Sequence, residues 1–401
     1  MSLDLMKEKG VPLEEQSFTL RELTPPPISK LDDDAFTRVR IILMNGIESH
    51  ALRFKHAFAW NTRELRGTLA AVRRAEQHQQ TMVNWLLPAD QSVLETTIGF
   101  EQVAIELTAS LALNEPDPYL AQTYRFGLLE DFDHLYRYSA LMDRVEGKDP
   151  NNILQSYTDI LPGRPTLVEH RAPIDEIRWP YDRASVHPMS RINALTLVGA
   201  EYQTHDYYMV VGPTFADPVA RGLYAEIASI EEQHVTQYGS LIDPDETWLE
   251  KWVLHEAIEV YNYWSCVNYE SNPRILKIWE RMLDYELGHL RLAMETMKSI
   301  ERRDPAEILP ESFDEPVRFE SHREFVRETL SNEVHLRARG PDFIPASEEK
   351  PDSPSVLYRQ RLHSEGTPSE IVAAGYRWMP GTELAGMAHN GGATAAREVR
   401  P

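Results

Sequence analysis

The chain has 401 residues, enough for two or three domains with cores of their own, and its 63 acidic against 41 basic side chains leave a formal net charge of −22. Such an acidic surface repels nucleic-acid phosphates and anionic lipid, so neither is an expected partner. A single cysteine, Cys266, excludes a disulfide framework, a thiolate zinc site and an iron–sulfur cluster. No run reaches the roughly 20 apolar residues of a membrane helix. The first residues lack the basic-then-apolar layout of a secretory signal, so a reducing cytoplasm is the expected compartment.

In chain order, residues 1–34 are polar, carry Pro25, Pro26 and Pro27, and read as an N-terminal arm. Residues 35–146 have helical apolar spacing, broken near Asn61, near Pro88 and around Asn114 to Pro118. Residues 147–188 hold Pro150, Pro162, Pro165, Pro173, Pro180 and Pro188 without periodicity, as a crossover would. Within it, His170, Arg171, Asp175, Glu176, Arg178 and Trp179 form a polar and aromatic group, either a solvated loop or a cover over one of the helical halves. Helical spacing returns over 189–302, with breaks at Gly212-Pro213, Asp243-Pro244 and Asn272-Pro273. The tail, 303–401, predicts one amphipathic helix around Glu315 to Arg337, and its last thirty or so residues read as a flexible or docking segment. Strand signals are almost absent, which makes the fold class all-α.

An internal repeat runs through both helical halves. Glu201, Asp217-Pro218 and Glu231-x2-His234 share one spacing with Glu256, Asn272-Pro273 and Glu286-x2-His289. Glu101, Asp117-Pro118 and Asp131-x2-His134 repeat it without a gap. A fourth, damaged copy has Asn45, then Asn61-Thr62, then Ala75-x2-His78.

Asp or Asn before Pro starts a helix, the side chain capping free N–H groups and Pro preset at the first position. The template is therefore a helical hairpin. Its leading Glu lies about 24 Å before the turn and its trailing carboxylate about 21 Å after it, at 1.5 Å per residue. The two levels nearly coincide, and the carboxylate and His three residues on share a helix face. The Glu201 and Glu256 copies, packed face to face, would bring four carboxylates and two imidazoles to one height, six ligands for two ions. Buried carboxylates need cations to persist, and oxygen donors with one imidazole per ion suit iron or manganese. Glu259, one turn after Glu256, is an alternative ligand. His205 and His255 are extra candidates or neighbours of the ligands.

Glu201, Glu231-x2-His234, Glu256 and Glu286-x2-His289 resemble the ferritin-like di-iron carboxylate superfamily, over about residues 190–300. The resemblance implies Glu231 and Glu286 as bridging carboxylates, Glu201 and Glu256 as terminal ligands, and His234 and His289 capping one ion each. It also implies two tandem ferritin-like four-helix bundles, 35–146 and 189–302, joined by the Pro-rich crossover and followed by the extended tail. The first bundle has drifted: it keeps Glu101, Asp131, His134 and His78, with Glu48 able to stand in for Asn45. It would hold one metal ion or none.

The implied cofactor is two Fe (or Mn) ions in the second bundle, and the implied substrates are O2, peroxide or ferrous iron. An oxidoreductase follows, with an oxygenase of a small organic substrate or a non-catalytic metal-binding scaffold as alternatives, and a homodimer is compatible with all three. One cysteine excludes a rubredoxin-like electron-delivery module. Tyr238, one turn after His234, and Tyr138, at the matching place after His134, are candidates to relay electrons or to fill the core.

Overall fold

A computed structural model describes residues 2–379. The N-terminal segment forms β1 (Leu3–Asp4) and then four long helices follow: α1 (Ala35–Asn61), α2 (Arg66–Asn84), α3 (Val93–Asn114) and α4 (Pro118–Glu146). The crossover carries two single-turn helices, α5 (Asn151–Leu154) and α6 (Thr166–Glu169). Four more long helices come next: α7 (Pro188–Val211), α8 (Pro218–Gly239), α9 (Trp248–Tyr269) and α10 (Pro273–Ile300). The tail contributes β2 (Ser312–Phe313), α11 (Arg323–Glu333), β3 (Leu336–Arg339), β4 (Asp342–Pro345), α12 (Pro354–Leu362) and α13 (Pro368–Ala373). The described chain is mostly helical, its strands being two short antiparallel pairs, β1 with β2 and β3 with β4. Among the described residues no helix is long and apolar enough to cross a membrane.

The predicted turns form for the predicted reason. Asp117, Asp217 and Asn272 each accept two backbone N–H groups of the helix they open, and Pro follows each at the first helical position. Ser92 and Thr247 open α3 and α9 with reciprocal bonds to Glu95 and Glu250. Four hairpins result, α1/α2, α3/α4, α7/α8 and α9/α10, each packed along its length.

Their grouping differs from the chain-order expectation. The inner hairpins, α3/α4 and α7/α8, face one another, and the outer hairpins, α1/α2 and α9/α10, do likewise, with α1 lying against both α7 and α9. The residues of 35–146 thus share their buried acidic clusters with those of 189–302. Each half of the chain exposes two amphipathic hairpins, and the repeat's spacing does not say which hairpin meets which.

The arm and the crossover are docked. Val11 N donates to Asp284 O on α10, and Gly10, with φ +61°, lies against Gly288, where a Cβ on either would collide with the other strand of chain. Gly163 N and Thr166 N donate to Asp133 on α4. His170, Arg171, Asp175, Glu176 and Arg178 are buried, which removes the solvated-loop reading, while Trp179 stays exposed. The tail holds more than the single predicted helix, and α13 packs on α4 and α8. Residues 380–401 of the predicted flexible or docking segment lie outside the described residues.

Candidate metal centre

Six repeat residues converge between the inner hairpins. The donor atoms of Asp131, Glu201, Glu231 and His234 lie within 4.8 Å of one another, and so do those of Glu101, His134 and Glu231, so Glu231 belongs to both groups. All six are buried. The imidazoles are held by their far nitrogens. His234 Nε2 is 2.8 Å from Glu130 Oε2 and His134 Nε2 is 2.9 Å from Glu169 Oε2. Their Nδ1 atoms face inward, that of His234 3.2 Å from Asp131 and 3.3 Å from Glu231, that of His134 3.0 Å from Glu231. Glu130 in turn accepts from Arg164 (3.2 Å) and Arg171 (2.6 Å), both supplied by the crossover.

The carboxylates are short of donors. Glu101 Oε2, both oxygens of Asp131, both of Glu201 and Glu231 Oε2 have no hydrogen-bond partner among the described residues. Burial raises the Glu101 and Glu201 carboxyls well above the ordinary range, with neighbouring carboxylates adding to it. Burial would lower the imidazoles of His134 and His234, yet facing carboxylates outweigh it and raise both. Hydrogen bonds from the two imidazoles overcome burial at Glu231 and hold it at about 2. Protons therefore sit where cations would otherwise balance the charge. Orphaned acidic oxygens, two inward nitrogens and anchored far nitrogens form a donor set that fits two hard or borderline divalent ions.

The outer hairpins build a second, altered cluster. Glu76, Glu256, Glu286 and His289 group together, as do Glu48, Glu259 and Glu286, all buried. Inside it Lys55, with no exposed side-chain area, pairs with Glu76, with Glu256 at 3.0 Å and with Glu259 at 3.3 Å. Burial would lower the ammonium, but these carboxylates outweigh it and keep it charged. Gln79 donates to Glu286 (2.6 Å), Tyr263 to Glu48 (2.6 Å), and Gln16 of the arm faces His289 Nε2 at 2.8 Å.

The expected six-ligand set is thus divided. Glu201, Glu231 and His234 lie with Glu101, Asp131 and His134, residues assigned to a drifted bundle, whereas Glu256, Glu286 and His289 lie around Lys55. Glu48 lies with Glu259 and Glu286, while the amide of Asn45 bonds Gln203 and Gln80. Glu259 and Glu256 fall in different donor groups, which have Glu286 in common. His78 is not in the cluster; it is half-buried and edge-on to Phe18. The α2 motif runs one residue later, Glu76-x2-Gln79, a pair spaced like the other copies. His205 contacts Asp206 at the surface, and His255 stacks on Phe54. Tyr138 and Tyr238 are fully buried with hydroxyls unpartnered among the described residues. The sequence reading missed Lys55, Glu76, Glu130, Glu169 and Gln16. Lys55 stands two turns after Glu48, a visible signal, while Glu169 and Gln16 arrive from segments without periodicity.

No family model, curated protein or solved structure matches the chain.

Proposed function

We propose that the chain is a ferritin-like di-metal oxidoreductase whose working centre lies between the inner hairpins. Its cofactor would be two iron or manganese ions, and its substrates O2, peroxide or ferrous iron. The observation that carries the reading is the sharing of Glu231 between two adjacent donor groups, each with one inward-facing imidazole.

When bound, such ions supply reversible one-electron steps and a Lewis-acidic position for a small oxidant. The chain's residues would hold Glu231 at the midline, Asp131, Glu201 and His234 on one side, and Glu101 and His134 on the other. Glu130 and Glu169 fix the imidazoles with Nδ1 inward, and Tyr208 O–H donates to Glu101, setting that carboxylate's rotamer. Tyr208 also lines a surface recess of about 170 Å³ with Gly212, Pro213 and Tyr224. A recess of that size favours a small oxidant or a ferrous ion over an organic substrate, and we keep the oxygenase reading second. In the outer cluster Lys55 supplies the cation, so that half is read as mainly structural.

Native protein purified without chelator is expected to carry about two Fe or Mn per chain. Glu231→Ala should lose them, and Glu286→Ala should keep them. A chain with neither metal that also takes up no ferrous ion under anaerobic conditions ends this reading. Oxygen consumption on adding ferrous ion, with and without peroxide, then separates ferroxidase from peroxidase. Two bound ions with no turnover of either would leave a metal-binding scaffold.

A further inference from the structure

The tail and the crossover meet at a third group of donors, apart from both clusters. His170 follows α6, His363 follows α12 and Glu226 lies on α8, and one donor atom from each falls within 4.8 Å of the others. His170 has no exposed area, and neither of its ring nitrogens has a hydrogen-bond partner among the described residues. His363 Nε2 is likewise unpartnered, and the side chains of His363 and Glu226 are only 8% and 4% exposed. A buried imidazole with both nitrogens idle loses its hydration without compensation. A further partner for the lone pair would remove that cost.

The carboxylate is already aimed. Ser369 donates to Glu226 twice, from N to Oε2 at 2.8 Å and from Oγ to Oε1 at 2.9 Å, leaving each oxygen a free lone pair. Glu226 Oε1 is 3.9 Å from His363 Nδ1, and the two imidazole rings stand 5.0 Å apart at 62°. Ligand atoms around a tetrahedral zinc ion sit about 3.4 Å apart when each bond is about 2.1 Å, so a small contraction completes the geometry.

We propose that His170, Glu226 and His363 form a third metal site, taking a zinc-class divalent ion with water in the fourth position. Two imidazoles and one carboxylate are a borderline donor set, distinct from the carboxylate-rich inner centre. The bound ion would clamp α12 and the crossover onto α8. Arg359 donating to the His170 and Val168 carbonyls (both 3.3 Å) and Ala172 N donating to Ser355 Oγ (2.9 Å) make weaker ties at the same junction. The site stands independently of whether the inner centre turns over.

The test uses the full chain stripped with chelator and titrated with Zn2+ alone or Co2+ alone. Wild type should bind about one equivalent of Zn2+ more than His363→Ala, and Glu231→Ala should retain that equivalent. Co2+ should give the intense visible bands of a four-coordinate site in wild type and in Glu231→Ala, lost in His363→Ala. Zn2+ should slow proteolysis of residues 349–379 in wild type and in Glu231→Ala but not in His363→Ala. Glu226→Gln serves as the second variant if His363→Ala loses helicity. Equal zinc uptake by wild type and a folded variant, or a cobalt-loaded wild type without four-coordinate bands, overturns the proposal.

Discussion

Lys55 holds its ammonium 3.0 Å from Glu256 Oε1 with neither side chain exposed, at the heart of the outer cluster. A tethered single charge there balances carboxylates that would otherwise need a bound cation. Lys55→Met keeps the stem's bulk and removes the charge. Leaving one side of a buried ion-pair network uncompensated typically costs about 3–5 kcal/mol. In chelator the variant should melt well below wild type, and added Mn2+ should recover much of the loss by occupying the vacated position. Equal melting temperatures in chelator would show that the ammonium is not what holds those carboxylates.

The inner histidines depend on their far nitrogens. Glu169 reaches His134 from the crossover, and one of its oxygens has no other partner among the described residues, so its removal disturbs little else. Outer partners of ligating histidines are commonly worth about 10–100-fold in metal affinity. On the proposed two-ion reading, Glu169→Ala should therefore weaken one inner ion by that factor and leave the other, beside His234, in place. Anaerobic ferrous titration would resolve one tight and one weak equivalent. Two unchanged equivalents would remove Glu169 from the metal's surroundings.

How much of this was legible in the sequence depends on what kind of signal each residue carries. Glu201, Glu231, His234, Glu101, Asp131 and His134 announce themselves because a capped helical hairpin converts spacing into height. Pairing of hairpins is a different matter. Glu231 could face Glu286 or Asp131 with the same periodicity, and the choice lies in how α1 packs against α7 and α9. The one-residue slip from Ala75-x2-His78 to Glu76-x2-Gln79 has a similar origin: α2 lacks the Asp-Pro or Asn-Pro start that fixes register in α4, α8 and α10, and its cap makes no side-chain bond. Glu169 and Gln16 lie in non-periodic segments, where only the folded chain shows what they reach.

Stability should depend on pH in the metal-free protein. Burial raises Glu76 to about 7, with Glu256 and Glu286 adding and Lys55 opposing. Glu286 and other carboxylates overcome burial to raise His289 to about 9. Burial also raises Glu169 to about 8, against the pull of His134. All three folded values exceed the unfolded ones, so their contribution is full below about pH 4.5 for the carboxyls and 6.5 for the imidazole. It is lost as pH rises through 7 to 9. The apo protein's melting temperature should fall across that window, and Fe2+ or Mn2+ should flatten the fall at the inner centre by replacing protons with cations. An apo melting temperature that stays level or climbs from pH 6 to 9 would contradict the sign.

The arm's contact with α10 gives a test that separates the two clusters. Gly288 has room only for a hydrogen, because a Cβ there would run into the Val11 carbonyl, and Gly10 packs against the same turn. Gly288→Ala forces the arm away, at a cost of about 1–3 kcal/mol for an overpacked contact. With the arm displaced, Gln16 leaves His289 Nε2, and the imidazole loses the partner that fixes its ring. Residues 2–33 should become sensitive to limited proteolysis and the outer cluster should loosen. The inner centre, whose imidazoles are anchored by Glu130 and Glu169 instead, should keep the metal binding and oxygen uptake proposed for it. Loss of inner-centre metal in Gly288→Ala would mean the two clusters are coupled through α1 and α7, so that the arm stabilises both.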